Sequence, residues 1–220
     1  MYKRQGQEVL GLVFLTAGLA SIVVTMKSGE TLEVGMIGRE GLTGASSLIG
    51  SDTNHPECVM QIPGKGLRVP SSFLQSLFLS SAEFREKILD GVQRQLNIST
   101  QLTACGVNHE AEGRFARWLL TASDLTGSPV LKLTQEYLSQ MLGTRRTTVS
   151  LVAQPLIERG LIRTVRGTVT ILDRPGLIQM ACECYEFCWK IKPGVARVGT
   201  RETSELVEKQ QPLSEQHQTL

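Results

Sequence analysis

The chain has 220 residues, 41% hydrophobic and 20% charged, the balance of a soluble globular protein with room for one large domain or two modest ones. A formal net charge of +2 announces no polyanion partner by itself, and five cysteines without scaffold spacing suit a reducing cytoplasm rather than a secreted disulfide fold. No Ser-His-Asp set, carboxylate pair or phosphate-binding glycine loop stands in the sequence, so neither catalysis nor a cofactor is expected.

The apolar run VLGLVFLTAGLASIVV (9–24) is broken by Gly and Thr and is too short to span a bilayer comfortably, so no membrane partner is expected. From residue 9 to about 70 the texture is that of short strands. LASIVVTM (19–26) and LEVGMI (32–37) flank an SGET turn, and a glycine-rich insertion follows at 39–50. ECVMQIPGKGLRVP (57–70) reads as two strand-like runs around a Pro-Gly-Lys-Gly turn.

At residue 71 the texture changes. Phe84, Ile88, Leu89, Val92, Leu96 and Leu102 recur close to every 3.6 residues, which predicts a long helix over about 83–107. Such a helix either packs on the β unit or presents Ile88, Leu89, Val92, Leu96 and Leu102 to a second copy of the chain. A further amphipathic helix over 112–125 ends at the Gly-Ser-Pro turn of 127–129.

Thr134 is placed to cap QEYLSQML, with Tyr137, Leu138, Met141 and Leu142 on one face. Gly143 can take the positive φ that ends that helix, and Thr144 can cap the next. Val149, Val152, Ala153, Leu156 and Ile157 then fall on one face of the second helix. Two helices about a tight glycine turn make a helix-turn-helix. LIRTV and TVTIL flank Arg166-Gly167 as a hairpin, the wing of a winged helix. Pro155 sits inside the second helix, where a missing N–H costs on the order of 3 kcal/mol and predicts a kink beyond the reading end.

Residues 129–175 hold seven basic residues against three acidic, a net +4. In this geometry Arg145 and Arg146 enter the major groove, where arginine bridges guanine O6 and N7 or clamps a phosphate. Thr147, Thr148 and Ser150 can reach phosphates or a thymine methyl, Thr134 joins them from the first helix, and Arg163 and Arg166 hold the flanking backbone. Cys182, Cys184 and Cys188 could form a metal or redox group. No histidine stands near them in sequence and the spacing fits no standard zinc site, so buried thiols are the preferred reading. Cys58 and Cys105 read as core residues. From 190 onward the chain is polar and reads as a tail.

LTQEYLSQMLGTRRTTVSLVAQPLIERGLIRTVRGTVTILDRPGL (133–177) resembles the C-terminal winged helix of the CRP/FNR family of bacterial transcription regulators. VFLTAGLASIVVTMKSGETLEVGMIGREGLTG (13–44) is similar to part of that family's cyclic-nucleotide-binding-like β-roll, and ACECYEF (181–187) resembles the end of an effector-uncharacterised branch. The resemblance implies an α+β protein: a partial β-roll (1–82), a dimerisation helix and linker (83–109), a winged-helix DNA-binding domain (110–189) and a polar tail (190–220). It implies a cytoplasmic homodimer that binds double-stranded DNA sequence-specifically, with RNA polymerase as a further partner and a small-molecule effector other than cyclic AMP, or none.

Three departures qualify the match. The β-roll similarity begins late, leaving about one strand pair and a leading helix unmatched and predicting an open edge. Gly44-Ala45-Ser46 stands where cyclic-nucleotide binders carry Gly-Glu, and 55–59 has no arginine for the cyclic phosphate, which argues against cyclic AMP. Thr147 and Leu151 replace the Glu and second Arg common in the family's reading helix, so a different operator is expected. The competing reading is a degenerate sensor or protein-interaction module that kept the winged helix as a scaffold.

Overall fold

The computed structural model describes residues 2–3, 10–39, 41–50, 56–133, 135–143 and 146–190. Its N-terminal part is an antiparallel sheet of β1 (Tyr2–Lys3), β2 (Gly11–Thr25), β3 (Thr31–Ile37), β4 (Leu42–Thr43) and β5 (Glu57–Pro70). The order is β1-β5-β2-β3, with β4 also paired to β2. A 3₁₀ turn, Ala45–Leu48, lies between β4 and β5.

Two features of this sheet differ from the sequence reading. The strand expected from residue 19 begins at Gly11, because the whole run from Gly11 pairs with β5. The Pro-Gly-Lys-Gly turn does not form: β5 runs unbroken through Pro63–Gly66. The physical reason is close approach. A Cβ on Gly64 would fall 1.9 Å from the carbonyl oxygen of Ala17, and Gly18 opposite takes φ +90°. Glycine here lets two long strands touch through shifts of register at Leu15, Ala17 and Leu19.

Two helices follow, α1 (Ser71–Ser80) and α2 (Ala82–Asn108). Ser81 separates them and caps α2, its hydroxyl accepting from the Phe84 amide at 3.3 Å. Leu74 of α1 and Ile88 of α2 close on Leu12 and Leu48 to form a local core.

The C-terminal part comprises α3 (Ala111–Thr126), β6 (Val130–Lys132), α4 (Gln135–Leu142), α5 (Arg146–Glu158), β7 (Ile162–Val165), β8 (Thr168–Ile171), α6 (Arg174–Met180) and α7 (Cys184–Lys190). Strands pair antiparallel in the order β6-β8-β7. The largest core cluster gathers Phe115, Trp118 and Leu119 of α3, Leu138 of α4 and Leu156 of α5. Each such side chain contributes roughly 1.5–3 kcal/mol on burial. Leu19 of β2 belongs to the same cluster, so one apolar core joins the sheet to the helices. Among the described residues no helix is long and apolar enough to cross a membrane.

Candidate nucleic-acid interface

Helices α4 and α5 meet at Gly143, whose φ of +62° makes the turn that a residue with a Cβ resists. The inner face of α4 is Tyr137, Leu138, Met141 and Leu142; that of α5 is Val149, Val152, Ala153 and Leu156, all buried. The opposite face of α5 presents Ser150, Leu151, Gln154 and Glu158. Leu151 is 72% exposed, an apolar side chain held out from the body on a helix that has already buried its own apolar stripe. Arg146, Thr147 and Thr148 occupy the first turn of α5, where the helix dipole and free N–H groups favour phosphate. Thr134, Thr144 and Arg145 lie outside the described residues, as does the polar tail from 191.

Pro155 stands inside α5, which continues to Glu158. The carbonyl it leaves without a partner belongs to Leu151, on the exposed face, where water can take the bond.

The hairpin β7–β8 pairs Val165 with Thr168, leaving Arg166 and Gly167 as its two-residue tip. Both have positive φ, +42° and +75°, the requirement of a type I′ turn. Arg166 is the one non-glycine residue with positive φ among the described residues. It projects, with Arg163, from an exposed stretch of the wing. Not every cation of the segment is free for phosphate. Arg174 donates through Nη2 to Asp124 Oδ1 at 2.6 Å and to Tyr185 Oη at 2.7 Å, stitching α6 to α3 and α7.

Electrostatic interest also sits where the sheet meets the helices. Glu33 of β3 is buried; its Oε1 accepts from Trp118 Nε1 at 2.8 Å, and its Oε2 from Tyr137 Oη at 2.7 Å and Ser21 Oγ at 2.5 Å. Burial pushes the carboxyl above its ordinary range, against the opposing pull of those hydrogen bonds and of the Arg117 charge. Burial likewise raises the Tyr137 phenol. Nothing in the sequence marked Glu33; a single acidic residue at alternate position in a strand reads as solvent-facing.

The apolar positions expected on a dimer face divide. Ile88 is taken by the chain's own core with Leu12 and Leu74, because the helix leans on the sheet there, and is unavailable to a second copy. Leu89 and Leu96 are exposed, the latter by 59%, while Val92 and Leu102 are half-buried. Val107, 82% exposed near the end of α2, was missed by the sequence reading, although it lies eleven residues from Leu96 at helical spacing.

Of the three cysteines singled out, Cys182 and Cys184 come together with Cys105 and His109, and Cys188 stays outside that group. No histidine is near these cysteines along the chain, but the fold supplies one. Folding brings His109 Nδ1 to 3.6 Å from Cys184 Sγ across 75 positions. The signal in the sequence was the close spacing of Cys105 and His109, four positions apart where α2 ends.

Residues 113–180 match the Crp-like helix-turn-helix domain family. No curated protein matches the chain in sequence. Among solved structures, FixK2 from Bradyrhizobium japonicum is similar with a TM-score of 0.67 at 14% identity, over 83% of this chain and 96% of that one. A CRP-family transcriptional regulator from Thermus thermophilus gives 0.65 at 19% identity, over 82% and 96%. A CRP/FNR-family regulator from Eubacterium rectale gives 0.63 at 18%, over 82% and 88%. At these identities the likeness is one of fold, and it extends over sheet, long helix and winged helix together.

Proposed function

We infer, from a Crp-like helix-turn-helix domain set in the fold of these regulators, that the chain is a CRP/FNR-type transcriptional regulator that binds DNA through α5 and its wing. In the finer reading it acts in the cytoplasm as a homodimer on a pseudo-palindromic operator. The observation that carries it is the sidedness of α5: one face fills the core and the other offers Ser150, Leu151 and Gln154 to a groove. Arg146, Thr147 and Thr148 open that helix; Arg145, directly before them in sequence, and Thr134, which precedes α4, belong to the same proposed contact set. Arg163 and Arg166 follow the phosphates from the wing.

Homodimerisation would use the stripe Leu89, Val92, Leu96 and Val107 on α2, spaced so that two copies of the helix can pack side by side. Output through RNA polymerase and input from a small-molecule effector belong to the same reading.

Selection of bound sequences from a random DNA pool tests it with the purified full chain at physiological salt. A two-fold-symmetric motif, its half-sites about one helical turn apart, is the expected result. Enrichment of unrelated sequences to equal extent would remove the sequence-specific reading.

A further inference from the structure

The end of α2 and the start of α7 bring four soft donors to one point. Cys105 Sγ, His109, Cys182 Sγ and Cys184 Sγ supply one ligand atom each, all within 4.8 Å of one another. Cys105 Sγ lies 3.6 Å from Cys182 Sγ, and Cys184 Sγ lies 3.6 Å from His109 Nδ1. A tetrahedral zinc with ordinary Zn–S and Zn–N bonds sets its ligands apart by about 3.7 Å for two sulfurs and about 3.5 Å for sulfur and nitrogen. These two contacts are therefore edges of the right length. They are also far too long for a disulfide, in which the sulfurs are about 2.05 Å apart.

The surroundings fit a metal as well as the donors do. His109 aims Nδ1 at the thiol group, and its Nε2 stands 3.7 Å from Glu183 Oε1, a carboxylate behind an imidazole as metal-binding histidines commonly have. Cys105 and Cys184 are buried, so water cannot supply the ligands. Three thiolates around a dication leave one negative charge. Arg117 of α3 is 7% exposed, with Nε and Nη1 lacking any hydrogen-bond partner, and its charge acts on both Cys105 and Cys182. A buried guanidinium with two nitrogens unsatisfied is costly beside neutral thiols; a metal site of charge −1 balances it further, beside the charge it already offers to Glu33.

We propose that Cys105, His109, Cys182 and Cys184 bind a structural zinc ion that staples the end of α2 to α7. Four protein ligands complete the tetrahedron and leave no open position, so the site holds structure and does no hydrolytic chemistry. What it holds is the junction between the long helix and the winged helix. His109 is the extended residue that ends α2, and α3 begins two residues later. The inference does not rest on DNA binding, and its readout is metal content.

The test uses the full chain, purified under reducing conditions from zinc-supplemented cells, with metal measured by mass spectrometry. About one zinc per chain is expected. Replacement by Co²⁺ should give the thiolate-to-cobalt charge transfer and the strong visible bands of a tetrahedral sulfur-rich site. Cys184→Ser should lose zinc and weaken the charge transfer, and Glu183→Gln should weaken zinc binding roughly 10-fold. Cys58→Ser and Cys188→Ser should leave both signals unchanged. The proposal is overturned by a reduced wild-type protein that retains no zinc and gives no tetrahedral cobalt spectrum. It is equally overturned by iron with acid-labile sulfide in place of zinc, or by a Cys105–Cys182 disulfide in protein handled without oxygen. Because the wild-type cobalt spectrum decides alone, a variant that fails to fold does not protect the idea.

Discussion

Trp118 of α3 donates its indole N–H to Glu33 of β3, at 2.8 Å, inside the seam between sheet and helices. The second carboxylate oxygen accepts from Tyr137 of α4, so one buried acid from the sheet holds the first helix of the helix-turn-helix. A buried charge stays only where donors surround it, and here three do.

Glu33 makes stability depend on pH with a definite sign. Its folded pKa is raised above the ordinary carboxylate range, with burial the leading cause. In acid, below the unfolded value, both states are protonated and no penalty applies. As pH rises, the unfolded chain gives up its proton first, so stability falls until the raised folded value is passed and then levels off. Urea midpoints across about pH 4 to pH 8 should show this fall, and Glu33→Gln should flatten it. Glu33→Ala, which strands three donors, should cost about 3 kcal/mol at the acid end of that range and less as pH rises. A wild-type midpoint that climbs through the same window would show that the hydrogen bonds outweigh burial.

Sequence preference should follow the exposed face of α5. Arg146→Ala is expected to relax discrimination at one base pair per half-site by about 1–3 kcal/mol. Leu151→Arg should do the opposite and shift preference toward guanine at a neighbouring position, since an arginine there can take O6 and N7. Competition binding against single-base operator variants reads both. Identical preference profiles for wild type and the two variants would put the reading head elsewhere.

Arg166 separates stability from binding. At φ +42° an arginine is strained where asparagine or glycine is not. Arg166→Asn should therefore raise stability by about 0.5–1 kcal/mol, while weakening binding to all DNA sequences alike and lowering the salt slope by about 1. Thermal melts together with salt titrations check it; a variant that melts lower would deny the strain.

The two faces of α2 should answer to different assays. Leu96→Asp is expected to weaken self-association by about 2 kcal/mol, roughly thirtyfold, with little change in the melting of the monomer. Ile88→Ala, inside the chain's own core, should cost about 2–4 kcal/mol of folding stability instead. Sedimentation velocity and chemical denaturation, run on the same samples, distinguish them.

The helical half was legible because its faces are decided within a few turns: Tyr137, Leu138, Met141 and Leu142 bury together, and so do Val149, Val152 and Leu156. The sheet was less so. Gly64 carries the same letter whether it makes a turn or lets a strand approach, and only the neighbour at Ala17 decides. The roles of Glu33 and Ile88, and the meeting of Cys105 and His109 with Cys182 and Cys184, were hidden for a related reason. Their roles come from partners tens of residues away, which no local period encodes.

The division of α5 into a packed face and a free face has an evolutionary consequence. Val149, Val152 and Leu156 share the helix with Ser150, Leu151 and Gln154, yet the two sets fill different environments. Exchanges at the outward positions leave the buried contacts intact and cost folding little, within about 0.5 kcal/mol for an ordinary surface change. Under the proposed function, a lineage can thus re-aim α5 at new operators by drift on one side of one helix, while the inward side keeps the scaffold constant.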